Sequence, residues 1–240
     1  MTSRYSRTAL LLGESGVERL KHARVAVFGL GGVGGYAAEA LLRSGIGALD
    51  VFDGDVFTVS NLNRQLHATM DTLGVNKALA VQARAKAIAP EAQVTAFPLF
   101  YAADNADTVD LSCYDGIVDA IDTVSSKIEL ICRAAAANTY LISSMGAGNK
   151  LHASAFQVAD IAQTSVCPLA RVMRRELKKR GIEHLPVVYS TEPPLSPLPP
   201  DVEDEAPAGR RQTPGSLSYV PAAAGLLMAG EIIQIISGIK

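Results

Sequence analysis

Between Val25 and Lys77 the chain carries residues whose types and order suit the handling of a nucleotide. An apolar run, Val25-Ala-Val-Phe28, leads into Gly29-Leu-Gly31-Gly32-Val-Gly34. Gly29, Gly31 and Gly34 fit G-x-G-x-x-G, a turn in which the backbone approaches phosphate and the next helix offers its free amides. Gly32 removes one more side chain from that loop. Asp53 stands 19 residues after Gly34, at the end of a second apolar run, where a carboxylate accepts hydrogen bonds from ribose hydroxyls. Hydride transfer needs no more than this. The chain goes on to Asn61, Asn63, Arg64, Gln65 and Lys77. Attack on a nucleotide phosphate needs cations on the triphosphate and a metal bridging its oxygens. Arg64 and Lys77 are the natural cations. Asp122, at the end of a later strand, is a natural carboxylate for Mg²⁺. Singly, Arg64 or Lys77 reads as a solvated surface charge and Asp119 or Asp122 as a helix cap. In order, along one rim of a sheet, they read as a site for ATP.

The elements that must hold these residues alternate between strand and helix. Strands are expected at Val25–Phe28, Leu49–Phe52, Val94–Phe97, Gly116–Ile121 and Tyr140–Ser143, with helices over Val33–Leu42, Lys77–Ile88 and Ile128–Asn138. That alternation implies a doubly wound, mostly parallel α/β sheet covered on both faces, with ligands beyond the carboxyl ends of the strands. The second half suggests strands at Ala155–Val158 and Val187–Ser190, a basic helix over Ala170–Arg180 and an apolar stretch from Tyr219 to Ile239. Residues 193–214, rich in proline and carrying Asp201, Glu203, Asp204 and Glu205, read as an exposed, mobile loop. The expected organisation is one domain over residues 1–240, with a nucleotide half to about 150 and a substrate half from 151.

The 240 residues carry a net charge of −2, which excludes a generally basic nucleic-acid coat protein but not a local basic patch. Cys113, Cys132 and Cys167 are odd in number and not closely paired, so the expectation is a reducing cytoplasm, no disulfide framework and no four-thiolate zinc site. Cys113 and Cys132 read as core filler. Cys167 has no histidine near it in sequence to activate it as a nucleophile or persulfide acceptor. The polar opening from Met1 to Arg7 gives no sign of a signal peptide. Glu231 and three glycines interrupt the only candidate membrane span, Tyr219–Ile239, which is expected to dock on the sheet instead.

Taken together, Gly29-x-Gly31-Gly32-x-Gly34, Asp53-x-Asp55, Ser60-Asn61-Leu62-Asn63-Arg64-Gln65, Lys77 and Asp119-x-x-Asp122 resemble the ubiquitin-activating superfamily, which includes the bacterial ThiF, MoeB and HesA adenylating enzymes. The resemblance runs over roughly residues 4–150. It implies that Gly32, Asp53, Asn61, Arg64, Lys77 and Asp122 touch ATP or its Mg²⁺, with Asp55, Asn63 and Gln65 in the same site. The opening Arg4-Tyr5-Ser6-Arg7 is similar to the family's start, whose second arginine reaches a partner's triphosphate. Arg7 then implies a homodimer; read without the family it is part of a frayed terminus.

Departures from the family pattern narrow the branch. The two C-x-x-C pairs of zinc-bearing members are absent, and nothing is long enough to be a thioester-forming cysteine domain. The second half resembles instead the tRNA threonylcarbamoyladenosine dehydratase branch. Its features are Gly146-Ala-Gly148, Asp160-Ile-Ala-x-Thr164, Pro168-Leu-Ala-Arg171 with basic residues after it, and Ser190-Thr191-Glu192. Cys167 departs from the aspartate that several relatives carry there. The implied reaction adenylates a threonyl carboxylate on tRNA with ATP and Mg²⁺ and closes a ring with loss of water. Arg171, Arg174, Arg175, Lys178 and Lys179 recur at helical spacing and would meet the tRNA backbone. The other readings are an activator of a ubiquitin-like sulfur carrier, with a sulfur-transfer partner, and a nicotinamide oxidoreductase, which has no use for Arg64, Lys77 and Asp122.

Overall fold

The computed structural model describes residues 3–198 and 214–240. Seven strands form one sheet: β1 Arg24–Phe28, β2 Ala48–Phe52, β3 Gln93–Phe97, β4 Gly116–Asp119, β5 Leu141–Ser144, β6 Phe156–Asp160 and β7 Pro186–Ser190. Their order is β3-β2-β1-β4-β5-β7-β6. All neighbours run parallel except β6, which pairs antiparallel with β7. The chain builds outward from β1 through β2 to β3, then crosses back to lay β4 on the other side of β1. Such a reversal opens a crevice at the carboxyl ends of the two central strands.

Parallel strands are buried on both faces, which is why β1 and β2 read as unbroken apolar runs. Side chains nevertheless alternate between two cores. Val25 and Val27 face α1 Ser6–His22, α2 Gly34–Ser44, α3 Lys77–Ile88 and α6 Tyr219–Ser237. Ala26 and Phe28 face α4 Val124–Ala136 and α5 Pro168–Lys178. At the carboxyl ends Phe28, Phe52 and Phe97 stand in register across β1, β2 and β3. Their rings stack at 4.2 and 4.4 Å, forming a rigid row under the crevice.

The apolar helix α6 lies in the first core, as its composition suggests. The acid that marked it as a docked helix, Glu231, is buried there and takes Lys240 Nζ at 2.5 Å and the Tyr140 hydroxyl at 3.3 Å. Three expectations are corrected. Helix α1 has no counterpart in the sequence reading, because its surface is mostly polar and Gly13 breaks it with φ 70°. Strand β4 stops at Asp119 rather than Ile121, because the Asp119 carboxylate accepts the Ile121 N–H at 3.2 Å and turns the chain. Cys113 is exposed rather than in the core, and Cys132 is half-buried. The acidic stretch Asp201–Glu205 lies outside the described residues.

One buried carboxylate ties α2 to α3. Glu39 of α2 accepts Arg43 at 2.6 Å and Arg84 of α3 at 3.0 Å, and stands 3.6 Å from the His67 ring. Burial alone would raise its pKa. The bonds from His67, Arg84 and Arg43 outweigh burial and hold the carboxyl far below the usual range. A depressed folded pKa contributes stability above the unfolded value, and that contribution is lost as pH falls toward the folded one. Glu39→Gln is therefore expected to be less stable than the parent at pH 7, with the deficit narrowing below about pH 4.3. Urea melts of both proteins at pH 7 and pH 3 check this; an equal deficit at both would refute it.

Candidate functional site

The glycine turn after β1 and the Asp119–Asp122 turn after β4 are neighbours because the strands pair with Phe28 opposite Asp119. They touch as closely as backbones allow. A Cβ on Gly29 would lie 2.6 Å from the Ala120 carbonyl oxygen, and φ there is +84°. A Cβ on Gly34 would lie 1.8 Å from the Gly29 carbonyl oxygen. Both glycines are thus required by packing before any phosphate is considered. Gly31 and Gly32 present bare backbone beside the Gln65 side chain and the Arg64 carbonyl respectively.

Asp53 fastens the next wall. One carboxylate oxygen accepts the Leu30 N–H at 2.7 Å and the other the Asp55 N–H at 2.8 Å. Its first task is therefore structural, joining the glycine turn to the loop after β2. An ionised carboxylate has about four acceptor positions, so two remain for ribose hydroxyls. Burial pushes the Asp53 carboxyl up, while the Lys77 charge and the two amides pull against it. Asp55 lies at the surface and pairs with the buried Lys77 ammonium at 3.0 Å. Asn76, which the sequence reading passed over, makes that pairing possible. Its side-chain oxygen caps α3 through Ala78 N–H at 2.9 Å, and its amide donates to the Asp53 and Asp55 carbonyls. Lys77 therefore begins a helix whose start is locked to the Asp53 loop. Asparagine directly before a helical run was the signal available.

A short 3-10 turn, Val59–Asn61, leads the Asn61–Gln65 segment onto the same rim. Asn61 is buried and takes the Thr58 N–H at 3.2 Å. Arg64 donates to the Ser60 carbonyl at 2.7 Å and to Asn63 Oδ1 at 2.9 Å. Among the described residues no carboxylate is within ion-pair reach of Arg64, so its charge is held in place by neutral acceptors and free for an anion. Asn63 also donates to the Ser216 carbonyl at 3.0 Å, joining this segment to the approach to α6. Gln65 Oε1 and His67 Nδ1 are buried beside the turn with no partner among the described residues. Buried polar atoms are almost always satisfied, so these fit a ligand with its own polar groups.

Asp122 stands exposed at the mouth, where Thr123 Oγ1 donates to it at 3.2 Å. A carboxylate beside a glycine turn suits Mg²⁺, which takes one or two carboxylates and completes its shell from phosphates and water. Beneath it the sequence reading missed Lys127, fully buried and paired with Asp119 at 3.0 Å.

The remaining expected residues lie elsewhere. Arg7 sits on the exposed face of α1, and no hydrogen bond or ion pair among the described residues links it to the glycine turn. Arg171, Arg175 and Lys178 on α5 and Lys179 directly after it are exposed, with Arg175 and Lys179 flanking Glu176 at 3.2 and 2.9 Å. Arg174 differs from them: it turns inward to the Thr164 carbonyl at 2.8 Å. Cys167 is buried at the start of α5, beside Gly146.

The tRNA threonylcarbamoyladenosine dehydratase of Bacillus subtilis (strain 168) is 40% identical over 98% of this chain and 94% of its own length. The crystal structure of the E. coli enzyme of that name, TcdA, in complex with ATP superposes with a TM-score of 0.86 at 32% identity, covering 98% of this chain and 94% of that one. A sulfur carrier protein adenylyltransferase of Thermus thermophilus is 39% identical, but over only 52% of this chain and 46% of its own. The ThiF family model matches residues 5–240, and the chain belongs to the ThiF family.

Proposed function

We propose that this chain is an ATP-dependent adenylating enzyme that dehydrates threonylcarbamoyladenosine in tRNA. The observation that carries the reading is the extent of likeness: dehydratase relatives match along nearly the whole chain, whereas the sulfur-carrier relative matches about half. An ATP site alone does not separate the two; the second half does.

The chemistry suits the site. A carboxylate is a poor acyl donor because its leaving group would be oxide. When a threonyl carboxylate oxygen attacks the α-phosphorus of ATP, pyrophosphate leaves and the acyl carbon gains AMP as leaving group. The neighbouring carbamoyl group then closes on that carbon, AMP departs with one former carboxylate oxygen, and the net change is loss of one water. The tRNA supplies the ring-closing nucleophile, so the protein's work is to align the groups and neutralise charge. Gly29, Gly31, Gly32 and Gly34 offer backbone to phosphate; Asp53 with Asp55 and Asn61 holds the ribose side. Arg64 and Lys77 meet the triphosphate, with Asn63 and Gln65 orienting the segment. Asp122 would hold Mg²⁺, which would supply positive charge to offset that of the triphosphate.

Residues 1–150 form the nucleotide half and residues 151–240 the substrate half of one domain; the single sheet spanning both supports this. The exposed α5 cations Arg171, Arg175, Lys178 and Lys179 are the tRNA-facing set, and Arg174 braces the turn below them. Arg7 serves a second copy in a homodimer. Its exposure, and that of Leu10 and Leu11 on the same helix at 86% and 82%, support a covered surface there. Three unpaired cysteines are in keeping with a cytoplasmic enzyme.

With ATP, Mg²⁺ and tRNA bearing threonylcarbamoyladenosine, pyrophosphate release is expected, and product nucleoside mass is lower by one water. Release with a carrier protein ending in Gly-Gly, and not with the tRNA, would overturn the reading. Lys77→Ala and Arg64→Ala should each lower release by about 10²- to 10³-fold with unchanged circular dichroism. Arg171→Glu with Lys178→Glu should weaken tRNA binding, reduce the salt slope by about one per charge and leave ATP binding unchanged. For the dimer, mixing inactive Lys77→Ala chains with inactive Arg7→Ala chains should restore part of the activity. No recovery would place Arg7 outside the partner's site.

A further inference from the structure

We infer that Lys127 is a positioning residue for Asp122, acting through the buried Lys127–Asp119–Ser143 network; the inference rests on the adenylation reading above. Lys127 and Asp119 are both fully buried and lie 3.0 Å apart. The same ammonium donates to the Ile121 carbonyl at 3.0 Å and the Asp119 carbonyl at 3.4 Å. Asp119 in turn accepts the Ser143 hydroxyl at 2.6 Å and the Ile121 N–H at 3.2 Å. Every one of these bonds ends on the turn that delivers Asp122, the next residue. From the other side the Ala120 carbonyl rests against Gly29, so the turn is held from below and from the flank.

Stability does not account for this arrangement. Taking both charges of a pair out of water costs about as much as their attraction returns, and an apolar pair of equal volume often serves stability as well. Lys127 also lies near the N-terminus of α4, where the helix dipole disfavours a cation. A buried, oriented network earns its place when one conformation must be chosen over others. Here the conformation chosen is that of a turn which, on leaving β4, would otherwise be free to aim Asp122 elsewhere. A purely structural role would fix α4 to β4 and leave nucleotide binding untouched, and this difference can be measured.

The test uses the full chain with three changes: Lys127→Met with Asp119→Asn, which removes both charges at similar volume; Ser143→Ala, which keeps the ion pair and drops one bond; and Asp122→Asn for reference. Calorimetry gives ATP affinity with Mg²⁺ and with EDTA, and pyrophosphate release gives turnover. The double variant is expected to melt cooperatively and bind ATP in EDTA like the parent. It should lose the Mg²⁺-dependent gain in affinity and fall about 10- to 100-fold in release, in kcat more than in KM, as Asp122→Asn does. Ser143→Ala should move both readouts the same way by less. A folded double variant with the parent's Mg²⁺ dependence and turnover overturns the inference. If the double variant does not fold, Ser143→Ala decides: parental behaviour overturns the inference, and a loss of the Mg²⁺ effect supports it. A parent that releases no pyrophosphate removes the adenylation reading, and the inference falls with it. A parent that does, with network variants indistinguishable from it, removes the inference alone.

Discussion

The contact on which this structure turns is the approach of two backbones, the glycine turn after β1 and the Asp119–Asp122 turn after β4. A side chain at Gly29 would collide with the Ala120 carbonyl oxygen of the second turn, and one at Gly34 with the Gly29 carbonyl within the first. Their meeting closes the base of the crevice that the strand reversal opens. It brings the glycine turn, which Asp53 joins to the loop after β2, against the turn that leads to Asp122. Phe28, Phe52 and Phe97 stack beneath it and brace the strand ends from which the loops depart.

Charge is distributed by the same logic. The ions that shape the rim are buried and paired: Glu39 with two arginines, Lys77 with Asp55, Lys127 with Asp119. Among the described residues Arg64, Arg171 and Lys178 have no carboxylate partner, while Arg175 and Lys179 flank Glu176. A net charge of −2 thus coexists with an arginine held by neutral acceptors beside the glycine turn and a row of exposed cations on α5. Electrostatic stabilisation of this kind works because the donors are already oriented and need not reorganise during reaction.

Much of this was legible in the residues. The order Gly29 to Gly34, Asp53, Asn61 to Gln65, Lys77 and Asp122 identifies the nucleotide chemistry because each group must occupy a fixed place on one rim. Alternating apolar runs give the parallel sheet because both its faces are covered. The branch was legible too, since the second half carries its own motifs around Gly146, Pro168 and Ser190.

What the chain alone determined was the set of groups and the fold that gathers them, since both follow from local pattern: turn glycines, strand hydrophobicity and helix caps. What only the tertiary structure decided was the use of each group. Asp53 first fastens two loops; Arg174 leaves the exposed row to brace a turn; Lys127 goes to the interior although an isolated lysine reads as surface; β6 reverses against β7. In each case the deciding force is a contact between residues far apart in sequence, whose energy depends on burial and distance. Neither quantity is written in the local order of residues.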